Sequence, residues 1–466
     1  MSVQLQDRRV LVVGLGKSGL AAVQLLAASG ARVIGNDLRS EAELGETASA
    51  VRAAGAELAL GAHDAALFTS VDRIVVSPGV PPLAALDAAD RAGIPIASEV
   101  ELASWFIDPA ACVIGITGTN GKSTVTTLVG EMCALSGRPT FVGGNLGTPL
   151  VAVANTPAAR AGYVVVELSS YQLERVSQLR VHVGALLNVT EDHLDRYPTL
   201  AAYADAKANL FRCQRAGDAA VVPADDVFCQ ELAQRGPAGL QLFGSPSGTV
   251  RIEGDQLVDS VTGPVLPVSE LRIRGAHNLS NACAAALCAR LAGVPADAIA
   301  SVLRSFQGLP HRMVHVADVA GVAYYDDSKA TNVGASVAAI DGLAPSVQRI
   351  VLIAGGKDKG GDYGPLRDRL AQSARAVVLI GEARPIIERA LAGAAYPIES
   401  TATLEAAVQR ARELAQPGDA VLLAPACASL DMFRSYAHRG AVFQAAVRDL
   451  AAPAPASAPA PERGSR

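Results

Sequence analysis

Aromatic residues are scarce in this 466-residue chain, at 4% with a single Trp, so its cores must be filled by Ala, Val, Leu and Ile. Charge is thin too: 18% of residues are Asp, Glu, Lys or Arg, against a usual ~25%. The balance is −5, from 40 basic and 45 acidic residues, and there is no Lys/Arg block. That excludes a generic nucleic-acid binder, which needs cations to neutralise phosphates. Half the residues are apolar, which excludes intrinsic disorder.

Long hydrophobic runs are also missing. Mean hydropathy is +0.27, yet no uninterrupted apolar stretch reaches the roughly 20 residues that span a bilayer. Met1 to Arg9 is polar and lacks the basic start, apolar stretch and cleavage site of a signal peptide, so a cytoplasmic location is expected. The seven cysteines, 112, 133, 213, 229, 283, 288 and 427, form no C-x-x-C pair. Scattered and odd in number, they argue against a disulfide framework or a thiolate zinc site and read as small buried hydrophobes.

What is present is alternation. Short apolar runs are followed by Ala/Leu-rich helical stretches, which predicts α/β architecture with parallel sheets, and the length fits about three domains. The first series runs through Val10–Val13, Arg32–Asn36 and Ile74–Ser77 and fades near Pro109. The second runs through Val113–Ile116, Tyr163–Glu167, Gly184–Asn188 and Ala219–Val222. From about Leu240 to Ile273, alternating stretches broken by Gly, Asp and Pro predict an antiparallel meander. The third contains Val322–Asp326, Ile350–Ala354, Ala376–Ile380 and Ala420–Ala424. The expected domains are therefore 1–108, 109–309 and 310–452, with a Pro/Ala/Ser-rich disordered tail at 453–466.

Two glycine loops carry the chemical signal. Gly14-Leu-Gly-Lys-Ser-Gly19 has G-x-G-x-x-G spacing, and Asp37 follows at the end of the next strand. Glycines let backbone approach a diphosphate at a helix N-terminus, and the acid would bond a ribose or base. On the residues alone the ligand could be NAD, another nucleotide, or nothing beyond a tight turn. Gly115-Ile-Thr-Gly-Thr-Asn-Gly-Lys-Ser-Thr124 is sharper. Gly118 and Gly121 permit a phosphate-cradling loop, Lys122 supplies a charge to the terminal phosphates of ATP, and Ser123 offers a hydroxyl to Mg²⁺. The strict P-loop pattern wants Gly at the position of Ile116, so this is a variant.

The two loops in one chain, with Glu167 in Glu-Leu-Ser-Ser-Tyr-Gln172, His193 in Asn188-Val-Thr-Glu-Asp-His, His277-Asn-Leu-Ser-Asn281 and Pro310-His-Arg312, resemble the Mur ligases. These are the ATP-dependent amino-acid-adding enzymes of peptidoglycan precursor synthesis. The segments Ser77-Pro-Gly79, Asp327-Ser-Lys-Ala-Thr-Asn332 and Ala424–Phe433 resemble the branch that adds D-glutamate. The resemblance covers about residues 5–450. Another Mur-type or a folylpolyglutamate-type ligase with a different acceptor is the alternative. An NAD-dependent oxidoreductase or a nucleotide-sensing module accounts for the first loop only.

The resemblance implies three domains: a Rossmann-like N-terminal domain, a P-loop-type central ATPase domain with an added antiparallel segment, and a Rossmann-like C-terminal domain. It implies transfer of D-glutamate to UDP-N-acetylmuramoyl-L-alanine through an acyl phosphate, by a monomer serving cell wall biogenesis. The UDP-sugar would lie on Gly14, Leu15, Gly16, Lys17, Ser18 and Asp37, and on Ser77, Pro78, Gly79 and Asn145. ATP would lie on Gly118, Thr119, Asn120, Gly121, Lys122, Ser123 and Thr124, with Asn278 and Asn281 at adenine and Arg312 and Asp327 at phosphate and ribose. D-glutamate would meet Lys329, Thr331, Lys359, Ser429, Leu430 and Tyr436. Two Mg²⁺ ions would draw on Ser123, Glu167, His193 and a carbamoylated Lys207, with Lys122, Glu167, His193 and Lys207 as the catalytic set. Taken alone, Lys207 reads as a solvated helix lysine; His193 reads as a metal ligand or a structural histidine, with Asp192 and Asp195 beside it favouring a polar pocket; and Glu167 reads as a metal-shell carboxylate or a strand-end acid, with Ser169 and Ser170 favouring the former.

Overall fold

The computed structural model describes residues 3–194, 196–244, 246–273 and 275–451; Asp195 and the expected tail lie outside them. Two compact units divide between Gly308 and Leu309.

The first unit carries two sheets. Strands β1 (Arg9–Val13), β2 (Arg32–Asp37), β3 (Glu57–Leu60), β4 (Arg73–Val76) and β5 (Ile96–Ser98) form a parallel sheet of order β3-β2-β1-β4-β5. The order reverses between β1 and β4, the switch point where open α/β sheets receive ligands. Gly14 and Ser77 end those two strands there.

The second sheet has nine strands: β6 (Cys112–Thr117), β7 (Thr140–Gly144), β8 (Tyr163–Glu167), β9 (Val183–Leu186), β10 (Ala219–Pro223), β11 (Gly239–Phe243), β12 (Val250–Glu253), β13 (Gln256–Asp259) and β14 (Gly263–Pro267). Its order is β14-β13-β12-β11-β10-β9-β6-β8-β7. β6 is central and its residues from Val113 onward are buried, as befits a parallel strand covered on both faces. The expected meander is narrower than the sequence indicates: Gly239–Phe243 pairs in parallel with β10, and antiparallel pairing is confined to β12, β13 and β14. A Val/Leu-rich strand with polar interruptions reads alike in either direction. One apolar cluster includes Val12 and Leu26 beside the first sheet and Leu150, Val164 and Leu186 beside the second.

The second unit holds β15 (Val314–Val319), β16 (Val322–Asp326), β17 (Ile350–Gly355), β18 (Ala374–Ile380), β19 (Ile398–Ser400) and β20 (Ala420–Leu423), in order β15-β16-β20-β17-β18-β19. All pairings but the β15–β16 hairpin are parallel. The short or half-exposed strands β3, β5, β7, β15 and β19 are the ones the apolar runs do not reveal. All seven cysteines are thiols; Cys112 and Cys213 are half-buried and the other five buried. Among the described residues no helix is long and apolar enough to cross a membrane.

Candidate active site

The second glycine loop leaves β6 at Thr117 and enters helix Lys122–Leu135. Gly121 caps that helix at φ 86°, a left-handed conformation that favours glycine, and a Cβ there would stand 2.4 Å from Asn281 Oδ1. The departure at Ile116 has a physical reason. The strand runs through this position to Thr117, and Ile116 is fully buried, so Gly118 and Gly121 do the turning. Asn188, at the end of β9, fixes the loop: its Oδ1 accepts from Asn120 N at 2.8 Å and its Nδ2 donates to Asn120 O at 3.1 Å. Thr119 Oγ1 donates to Thr190 O and accepts from Thr190 N, at 3.1 and 3.0 Å. Lys122 Nζ donates to the carbonyls of Gly118 and Thr119, both at 2.8 Å. Ser123 and Thr124 are buried at the helix start.

Lys207 and Asn281 contact this loop, Glu167 ends the strand paired with β6, and His193 lies 6.3 Å, centre to centre, from the ring of Tyr203. Lys207 rides on helix Leu200–Ala208, which Thr199 caps through Oγ1. It is 1% exposed, stands over the Tyr203 ring, and donates to Gly118 O at 2.8 Å. Burial pushes its ammonium well below the ordinary lysine range, and the charge of Lys122 adds to that. Glu167 ends β8 because Ser169 and Gln172 form a reciprocal capping box that starts a new helix. Its Oε1 accepts from Asn145 Nδ2 at 2.6 Å, while Oε2 is buried without a hydrogen-bond partner. His193 adopts φ 57°, rare for a non-glycine residue, and its Nδ1 meets Tyr171 Oη at 2.8 Å. Asn281 lies against the loop at Gly121, on the same helix as Asn278.

An orphaned carboxylate oxygen at the end of the strand paired with β6, from which the phosphate loop leaves, fits a hard cation. Among the described residues no three His, Cys, Asp or Glu side chains are grouped to hold a metal ion by themselves. Mg²⁺ suits such a site, because it binds through one or two carboxylates together with phosphate and water oxygens.

The first loop joins β1 to helix Lys17–Ala28. Ser77 Oγ donates to Gly14 O at 2.6 Å, and a Cβ on Gly19 would overlap Gly14 O at 1.9 Å. Asp37 accepts from Leu15 N at 2.7 Å and receives the fork of Arg39 at 3.0 and 2.8 Å. That guanidinium holds the Asp37 carboxyl well below the usual carboxylate range, against an opposing effect of burial. Lys17 Nζ reaches Gly147 O at 2.6 Å, two residues beyond Asn145. Ser77, Pro78 and Gly79 line a cavity of about 110 Å³ with Tyr171, Glu174 and Arg196. Arg196 donates to Val80 O at 2.9 Å and forks onto Glu174.

In the second unit, Lys329 Nζ donates to Tyr436 Oη at 3.1 Å and stands 4.3 Å from the centre of its ring. Thr331 N donates to Lys329 O. Ser429 is buried and Leu430 is 69% exposed beside it. Lys359 lies in the loop after β17, where Asp358 accepts from Tyr363 Oη at 2.8 Å. Asp327 follows β16, and burial pushes its carboxyl up to about 7 against the opposing charge of Arg312, whose Nε is buried without a hydrogen-bond partner.

The sequence alone does not single out Asn188, Arg196 and Arg439. Asn188 stood in plain view within Asn188-Val-Thr; its signal was a polar residue ending an apolar strand. Arg439 had none, since a buried arginine reads as an exposed one in an amphipathic helix.

Three family descriptions match in chain order: "Mur ligase MurD-like, N-terminal domain" over 8–98, "Mur ligase middle domain" over 116–289 and "Mur ligase, glutamate ligase domain" over 311–427. The chain is 44% identical over 455 residues to UDP-N-acetylmuramoylalanine--D-glutamate ligase of Desulfosudis oleivorans, covering 96% of this chain and 98% of that one. It belongs to the Mur ligase family. The same-named ligase of Anaeromyxobacter dehalogenans is 46% identical over 458 residues, covering 95% and 97%. Two solved Mur ligases share the fold: MurF from Acinetobacter baumannii, at 20% identity and TM-score 0.61 over 90% of each chain, and UDP-N-acetylmuramate-alanine ligase MurC from Thermotoga maritima, at 18% and 0.57 over 95% and 100%. In this Mur ligase the middle-domain match contains the loop with Lys122, Glu167, His193 and Lys207, and the glutamate-ligase match contains Lys329 and Lys359.

Proposed function

We propose that this chain is an ATP-dependent carboxylate–amine ligase that joins D-glutamate to UDP-N-acetylmuramoyl-L-alanine. The near-full-length identity to relatives bearing that name supports the substrates. The observation that carries the chemistry is the convergence of Lys122 and Lys207 on one phosphate-loop carbonyl beside Asn120 and Ser123.

Amide formation from a free carboxylate is uphill, so the carboxylate is first phosphorylated. Its oxygen attacks the γ-phosphorus of ATP and ADP leaves. The amine of D-glutamate then attacks the acyl carbon, loses a proton, and expels inorganic phosphate. The first step brings two anions together, and catalysis rests on position and compensating charge. Lys122 supplies a fixed cation to the phosphates, with loop N–H groups around it. Mg²⁺, held by Ser123, Glu167, His193 and a modified Lys207, would screen the remaining charge. Asn145 orients Glu167 for that role.

Lys207 is set up for carbamoylation. Its neutral amine attacks CO₂ and releases a proton, leaving an anion where a cation stood. Burial and Lys122 favour the neutral amine the step requires. Gly14–Ser18 with Ser77–Gly79 would hold the UDP-sugar, and Lys329, Thr331, Lys359, Ser429, Leu430 and Tyr436 the D-glutamate. Asn278 and Asn281 would complete the ATP site of the first unit. The reading also assigns a cytoplasmic monomer.

Phosphate release measured with ATP, the UDP-sugar substrate and one amino acid at a time tests the reading. Release with D-glutamate alone is expected; release with L-glutamate or meso-diaminopimelate and not with D-glutamate would overturn it.

A further inference from the structure

Arg439 is fully buried within helix Tyr436–Ala451. Its guanidinium hydrogen-bonds no carboxylate. Nε donates to Ser328 Oγ at 3.1 Å, and Nη2 to Ser328 O at 2.9 Å and Cys427 O at 3.2 Å. Nη1 donates to Cys427 O at 3.2 Å, Ala428 O at 3.3 Å and Gly355 O at 3.5 Å. A buried cation without a bonded counter-ion is costly, so its position demands a reason beyond packing. Its acceptors belong to three loops: the one after β16, the one after β17, and the one after β20.

Two of these acceptors directly precede residues assigned to D-glutamate, and the other two lie within four residues of one. Ser328 precedes Lys329, Ala428 precedes Ser429, and Gly355 opens the loop to Lys359. A trans peptide points its N–H opposite its C=O. With the Ala428 carbonyl turned to Arg439, the Ser429 N–H is therefore directed away from it. Two further contacts lock the arrangement. Lys357 and Ala428 exchange backbone hydrogen bonds at 2.9 and 3.0 Å, and Ser328 Oγ donates to Tyr436 O at 2.8 Å. A guanidinium fork serves three loops at once; an ammonium cannot reproduce that geometry.

We infer that Arg439 is the positioning residue of the amino-acid site: it sets Lys329, Ser429 and the Lys359 loop in register and places a buried positive charge behind a dicarboxylate substrate. This rests on the D-glutamate reading above. Arg439 itself touches no substrate, so its loss acts on the second half-reaction and spares acyl-phosphate formation.

The test uses the full chain and Arg439→Lys, with Ser328→Ala as a milder second variant. Steady-state kinetics are taken for each substrate, and the acyl phosphate is trapped with hydroxylamine in the absence of amino acid. For Arg439→Lys, the D-glutamate KM is expected to rise at least tenfold. The KM values for ATP and the UDP-sugar should stay within twofold, and trapping should stay at the wild-type level. Ser328→Ala should move the D-glutamate KM in the same direction by less. Should Arg439→Lys not fold, by circular dichroism and thermal melting, Ser328→Ala carries the test alone. An unchanged D-glutamate KM in the folded variants overturns the inference, as does an equal loss of trapping. A wild-type enzyme indifferent to D-glutamate would instead overturn the reading beneath it.

Discussion

Lys122 and Lys207 place their Nζ atoms on the same carbonyl oxygen, that of Gly118, each at 2.8 Å. Lys122 belongs to the phosphate loop; Lys207 comes from a separate helix and is almost wholly enclosed. Two like charges share a site only if one is neutral or converted, and burial selects Lys207 for that fate.

The sign of the linkage follows. With its folded pKa depressed, Lys207 leaves the folded state with fewer bound protons than the unfolded state. Unmodified enzyme in CO₂-free buffer should gain stability as pH rises toward the ordinary lysine value near 10.5. Lys207→Met should flatten that slope and raise the melting temperature near neutral pH, while activity falls by roughly a thousandfold. Thermal melts across pH, alongside turnover, check both halves. A variant that keeps full activity removes Lys207 from the catalytic set.

Asn145 reaches Glu167 Oε1 at 2.6 Å and leaves Oε2 available. Asn145→Ala should lower kcat by about 10–100-fold, the usual cost of losing an outer partner of a metal-binding carboxylate. Excess Mg²⁺ should restore part of it, read from a magnesium titration of turnover.

Gly121→Ala meets both a left-handed φ of 86° and Asn281 Oδ1 at 2.4 Å. Local strain of about 1–3 kcal/mol is expected. The ATP KM should rise more than the D-glutamate KM, measured under saturating second substrate.

Asp37→Ala removes the acceptor of the Leu15 N–H and the partner of Arg39. Charged hydrogen bonds of this kind contribute about 1.5–3 kcal/mol, so the KM for the UDP-sugar should rise roughly 10–100-fold with the ATP KM unchanged. Because Arg39 depresses the Asp37 carboxyl, its stabilising contribution is present above the ordinary carboxylate range and lost as pH falls through the lowered value. Wild-type and variant melting temperatures should converge in acid.

Glu99 is fully buried, and burial pushes its carboxyl up to about 7 while Oε1 accepts from Val151 N at 2.7 Å. The folded state then binds the extra proton between about 4.5 and 7, so this group's contribution declines as pH rises through that window. Glu99→Gln should remove the decline, a gain on the order of 3 kcal/mol at pH 8, read by chemical denaturation at pH 5 and pH 8.

How much the sequence revealed depended on what each residue had to do. Parallel strands such as Val113–Thr117 announce themselves because both faces are buried, and the phosphate loop because Gly, Lys and Ser follow a strand in fixed order. Half-exposed strands such as Glu57–Leu60 lack that continuous apolar signal. Lys207 was visible only through resemblance, since a lysine's burial depends on contacts far away in the chain. Arg439 escaped for the same reason: two of its acceptors, Ser328 and Gly355, sit 111 and 84 residues distant.

The most direct test is the mass of the UDP-sugar product after incubation with ATP, Mg²⁺, UDP-N-acetylmuramoyl-L-alanine and either enantiomer of glutamate. An increase of one glutamyl residue with the D form, matched mole for mole by phosphate, and none with the L form is the expected result. Phosphate without a heavier product, or a heavier product from L-glutamate alone, would contradict it.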